Sequence, residues 1–100
     1  MATTDVRRDV RPILIFFSSP TSGPSRRMEA FLDQVLQARR NHQTFRRQTI
    51  DVDQRSDLAE RFGVTEVPTI VVVERGRVVR RIVGRVGVKR LREQLDDWLQ

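Results

Sequence analysis

The chain has 100 residues, 38% of them hydrophobic and 32% charged, with a net charge of +6 and no cysteine. That length holds a single core, and the lack of cysteine excludes a disulfide scaffold or a zinc–thiolate centre. The longest unbroken apolar run, Ile13 to Phe17, falls far short of the roughly 20 residues of a membrane-spanning helix.

Residues 1–12 are polar and read as an N-terminal arm before one domain over 13–100. The arm carries a near-duplication, Asp5-Val6-Arg7-Arg8 and Asp9-Val10-Arg11-Pro12. It has no apolar stretch of secretory-signal length, so the cytoplasm is the expected location. Ile13 to Phe17 is continuously apolar, the mark of a strand covered on both faces. Ser18 to Pro24 is a loop rich in Ser, Pro, Thr and Gly. Met28, Phe31, Leu32, Val35 and Leu36 then recur at helical spacing, predicting one buried face on a helix to about Arg40.

Asn41-His42-Gln43 reads as a polar connection, and Thr44 to Val52 as a second strand with Phe45 and Ile50 as its apolar members. Asp53 to Phe62 is expected to form a short helix with Leu58, Ala59 and Phe62 inward. Asp53, Ser56 and Asp57 suit its first turn or cap, and Gly63 suits the left-handed position that closes it. Thr69 to Glu74 is a third strand, Arg75-Gly76 a hairpin turn and Arg77 to Val83 a fourth strand. After a loop at 84–87, Val88, Leu91, Leu95, Trp98 and Leu99 mark a closing helix. The order is β-α-β-α-β-β-α, and its first half is a βαβ unit with parallel strands.

Within that order stand Ser22-Gly23-Pro24-Ser25 before the first helix, Ile50-Asp51-Val52-Asp53, Arg61-Phe62-Gly63-Val64, Val67-Pro68-Thr69 and Gly84. Together, over residues 13–99, they resemble the thioredoxin family, with its Cys-Gly-Pro-Cys replaced by Ser-Gly-Pro-Ser. The resemblance implies an α/β fold, a thioredoxin-like three-layer sandwich around a four-stranded mixed sheet. Only 12 residues precede the first core strand, so the N-terminal strand and helix of thioredoxins are expected to be truncated, leaving a core closer to that of glutaredoxins.

In the family the first cysteine attacks a disulfide and the second resolves the product. Ser22 and Ser25 occupy those positions. Exchange requires a thiolate. A helix N-terminus favours a neighbouring anion by only about 0.3–2 kcal/mol, far too little to ionise an alcohol at neutral pH. Thr21 stands where the family often has an aromatic residue, and Phe16 where thioredoxins often bury an acid. Without thiol chemistry, Ser22 reads either as a helix N-cap, with Pro24 in the first turn, or as part of a site for an anion or a partner's backbone. Arg26 and Arg27 would make such a site electropositive, or stand as solvated side chains.

By resemblance, the Val67–Pro68 bond is expected to be cis and to face Ser22. Val67 would then pair with an extended peptide backbone, with Gly84-Arg85-Val86 as a third wall. The implied binding groove is Thr21, Ser22, Gly23, Pro24, Ser25, Val67, Pro68, Gly84 and Arg85. Alternatively, Pro68 only shapes a turn.

Other chemistries find little support. His42 is the single histidine, and no nucleophile elbow surrounds a serine. Asp51, Asp53 and Asp57 lack the glycine and final glutamate of a calcium loop. Neither a phosphate-binding glycine loop nor an aromatic RNA-binding strand is present, and Trp98 at helical spacing reads as core. No metal or cofactor is expected.

Three functions remain. The first is a redox-silent module that binds a protein or peptide segment near Pro68. The second is a thiol–disulfide oxidoreductase whose native cysteines at 22, 25 or both have been exchanged for serine. The third is a basic binder of nucleic acid or acidic partners, because eighteen of the 19 basic residues are Arg. They are scattered along the chain, which disfavours this last reading.

Overall fold

The computed structural model describes residues 10–100, with Arg39 through its backbone only. Most of the expected N-terminal arm lies outside the described residues. Strands β1 (Ile13–Ser18), β2 (Arg46–Asp51), β3 (Thr69–Glu74) and β4 (Arg77–Val83) form one sheet in the order β2-β1-β3-β4. β1 runs parallel to β2, Ile13 beside Arg46, and antiparallel to β3, Phe17 beside Thr69. β3 and β4 are antiparallel, with a shift of register between Val72 and Val73. Helices α1 (Gly23–Gln37), α2 (Ser56–Arg61) and α3 (Val88–Leu95) complete the three layers.

The continuous apolar run of β1 follows from its central place. Leu14 and Phe16 pack with Met28, Leu32 and Val35 of α1 and Leu91 and Leu95 of α3. Ile15 and Phe17 point the other way, toward Leu58 and Phe62 at α2. The Phe17 and Phe62 rings lie 5.6 Å apart. β3 is divided in the same way, with Ile70 and Val72 on the first face and Val71 on the second. Each fully buried aliphatic or aromatic side chain contributes about 1.5–3 kcal/mol.

Four boundaries differ from the sequence expectation. α1 ends at Gln37, and residues 38–43 form a 3-10 helix in which Arg40 has φ +62°. Asn41 within it is buried rather than part of an exposed connection. β2 therefore starts at Arg46, not Thr44. Phe45 precedes it and packs against Trp98, ring centroids 5.8 Å apart.

α2 starts at Ser56, not Asp53. Asp51 closes the preceding turn: its carbonyl accepts from the Gln54 and Arg55 amides, and its carboxylate accepts from the Asp53 amide at 2.9 Å. The residue at the N-cap is Arg55, with no side-chain cap. Neither Asp53 nor Ser56 caps the helix, and Asp57 pairs with Arg55 at 3.0 Å. α3 ends at Leu95, four residues short of Leu99.

The turn signals hold where the backbone requires them. Gly63 has φ +68° after α2, and Arg75 and Gly76 both have positive φ in the β3–β4 hairpin, as a twisted two-residue turn demands.

Candidate functional site

β1 ends and β3 begins at the same edge of the molecule. Thr69 of β3 pairs with Phe17 on one side and with Val83 on the other. The segments just beyond those pairs, 18–25, 66–68 and 84–85, are thereby carried to one end of the sheet.

Ser22 is the N-cap of α1. Its Oγ accepts the Ser25 amide at 3.1 Å, and its extended backbone, φ −93° and ψ 115°, suits a cap. Pro24 lies in the first helical turn, where a missing N–H costs nothing. Ser25 is buried, at 2% exposure, and its Oγ accepts the Ser19 amide at 3.4 Å. Both serine oxygens therefore hold backbone N–H groups, and among the described residues neither hydroxyl is hydrogen-bonded to a basic side chain.

Ser19 is the hub of the loop. Its hydroxyl donates to Asp53 Oδ2 at 3.0 Å. With that hydrogen committed, Thr21 Oγ1 is the donor in the 3.1 Å contact with Ser19 Oγ. The Ser19 carbonyl also accepts the Ser22 amide at 3.0 Å. Sequence reading missed Ser19 and the second role of Asp53. Their partners lie 34 residues apart, so no local spacing signals the pair. Arg26 folds back to donate to the Pro20 carbonyl at 2.9 Å, while Arg27 is exposed.

The Val67–Pro68 peptide bond is cis. Pro68 is buried and Val67 half-buried. The Pro68 carbonyl accepts the Gly84 amide at 2.8 Å, joining two of the expected walls. Thr69 Oγ1 donates to the Glu66 carbonyl at 2.8 Å and closes the turn before β3. Gly84 has φ +81°, and a Cβ there would lie 3.1 Å from Glu66 Oε2. The positive φ favours glycine, while the flexible, exposed Glu66 side chain could move aside. Glu66, absent from the expected site, brings a carboxylate to a wall that also carries the exposed Arg85. Among the described residues the Val67 amide and carbonyl take part in no hydrogen bond.

The remaining candidates have structural surroundings. Phe16 is fully enclosed between α1 and α3. Trp98 Nε1 donates to Glu74 at 2.7 Å, and Arg80 lies 5.2 Å over the indole ring. His42 is exposed in the 3-10 helix. Among the described residues no three His, Asp or Glu side chains converge as a metal cluster, and no helix is long and apolar enough to cross a membrane.

Comparison with known proteins agrees with this architecture. The Thioredoxin family profile matches residues 3–97. A thioredoxin of Mycolicibacterium smegmatis is 30% identical over 97% of this chain and 87% of its own length. A bifunctional thioredoxin reductase/thioredoxin of Mycobacterium leprae is 31% identical over 93% of this chain, which spans only 20% of that protein. Among solved structures, oxidised mitochondrial thioredoxin 3 of Saccharomyces cerevisiae superposes with a TM-score of 0.75 and 25% identity, covering 96% of this chain and 87% of that one. By the extent of the family match and the shared three-layer arrangement, the chain belongs to the thioredoxin family, in a form that contains no cysteine.

Proposed function

We propose that this chain is a redox-silent thioredoxin-like protein that holds an extended protein segment at the sheet end formed by Ser22, Val67, Pro68, Gly84 and Arg85. The observation that carries this reading is the unpaired backbone of half-buried Val67. An N–H and a C=O left without a partner in the chain are available to an extended segment, which pairs them by strand addition. The serine oxygens support the same reading. They are occupied in capping α1 and in fixing the Ser19 loop, so this end of the sheet keeps its shape without a thiol.

The test is selection of short peptides on the chain, followed by amide chemical-shift mapping. Shifts concentrated at Ser22, Val67, Gly84 and Arg85 support the groove. A bound peptide that leaves those four amides unmoved overturns it.

A second reading follows from the family. Relatives of this chain bear the name thioredoxin, and a cysteine pair at 22 and 25 would supply the missing sulfur. The double variant Ser22→Cys/Ser25→Cys is to be assayed for insulin reduction beside the unaltered chain. Activity in the double variant alone supports an intact oxidoreductase frame with its reactive atoms exchanged. Inactivity of a folded double variant counts against that reading.

A further inference from the structure

Among the described residues, the α2 side of the sheet is incompletely covered. α2 has six residues and reaches Ile15, Phe17 and Val71 through Leu58 and Phe62. Beside it lies an open groove of about 230 Å³, lined by Ile13, Ile15, Phe17, Ile50, Phe62 and Val73 among others. Gln48 is its one polar lining residue. Ile13, Ile50 and Val73 are only half-buried. Val78, opposite Val73 in the β3–β4 register, extends this face and is 44% exposed.

The groove runs into a second hollow of about 270 Å³ that shares Ile13 and Val73 with it. This end is lined by arginines, including Arg75 of the hairpin. On β4, Arg81 stands opposite Val71 on this face, whereas Arg77 stands opposite Glu74 on the Trp98 side of the sheet. Arg75 makes no ion pair among the described residues. Arg81 donates only to a backbone carbonyl, that of Phe62 at 2.7 Å. The nearby carboxylate of Glu74 is engaged by Trp98.

We propose that this face is an interaction surface for an acidic amphipathic helix of another protein. An apolar sheet face already half covered by one helix is completed by a second helix laid beside it. Such a helix places apolar residues at i, i+3, i+4 and i+7 on Ile13, Ile15, Ile50 and Val73. The arginines select its flanks: Glu or Asp beside the apolar stripe meets Arg75 and Arg81, and Lys or Arg is repelled. The same two arginines disfavour a second copy, which would bring like charges together across the contact.

The probe is a synthetic amphipathic helix with Leu at i, i+3, i+4 and i+7 and Glu elsewhere, added to the full chain and followed by amide shifts. A Lys-substituted peptide with the same Leu stripe is the control. We expect the Glu peptide to shift Ile13, Ile15, Ile50, Leu58, Phe62 and Val73, and the Lys peptide to bind at least about tenfold more weakly. The double variant Arg75→Glu/Arg81→Glu, both positions being exposed, should reverse that preference. Val78→Ser, a neutral change on a solvent-facing strand position, should weaken both peptides. Equal binding of the two peptides, or no shift at these residues, overturns the proposal. So does a concentration-dependent dimer that buries them. Proton–proton contacts from residues 1–9 to Ile15 or Ile50 in the peptide-free chain would assign the groove to the chain's own segment and overturn it as well. None of these outcomes bears on Val67, so the sheet-end groove stands or falls separately.

Discussion

Ser22 shows how a single side-chain atom can anchor a helix. An oxygen at this position accepts the Ser25 amide and fixes the first turn of α1. Ser22→Ala removes that acceptor and should cost about 1 kcal/mol. In a domain of this size that lowers the thermal midpoint by roughly 4–8 °C, readable by circular dichroism.

Asn41 makes a comparable point at the opposite end. Its amide donates to the Ala38 carbonyl at 2.8 Å, and its Oδ1 accepts the Gln100 amide at 2.8 Å and the Thr44 hydroxyl at 3.2 Å. Asn41→Ala leaves these groups to find water near a buried position. It should cost about 1–3 kcal/mol, checked by urea denaturation. Ser22 was legible because a cap is a local device with a local signature. Asn41 was not, because Gln100, on which its burial depends, lies 59 residues away.

Elements were legible where their pattern is set by the whole environment. β1 and β3 are continuous apolar runs because helices cover both faces, and their extents follow the sequence closely. β2 and α2 were misjudged at their starts. There the chain is shaped by turn contacts of Asn41 and Asp51, which outweigh the strand preference of Thr44 and Phe45 and the capping preference of Asp53. The start of α2 also carries the one clear electrostatic pair of that helix. The hydrogen bond from Arg55 holds the Asp57 carboxyl below its ordinary value.

A carboxyl with a lowered folded-state pKa stabilises the fold above its unfolded value. That contribution is lost as pH falls through the folded value. The difference in urea midpoint between the parent chain and Asp57→Asn should thus be constant above about pH 5 and shrink below about pH 4. The effect is small because both side chains are exposed. A difference that instead grows toward acid pH would contradict the assigned pairing.

At the scale of the molecule, stability is concentrated in the middle of the sheet. β1 and β3 are each paired on both edges and packed on both faces, whereas among the described residues β2 and β4 each pair with one strand only. Native-state hydrogen exchange should therefore be slowest in Leu14 to Phe17 and Ile70 to Val72, and faster in Arg46 to Thr49. The family and the layer order could be read from motifs scattered over the chain, because those motifs mark turns and strand ends that the fold requires. The groove beside α2 could not, because it arises from what α2 leaves uncovered and has no motif of its own.

The two outer strands have a further consequence. Arg46 and Arg47 open β2, and β4 carries Arg77, Arg80 and Arg81. The register shift also leaves Val79 without an opposing residue. Charge on one flank and a kinked, charged ribbon on the other make poor templates for fibrillar stacking. A chain whose borders carry so many guanidinium groups should remain monodisperse when concentrated, protected by the sheet's own margins.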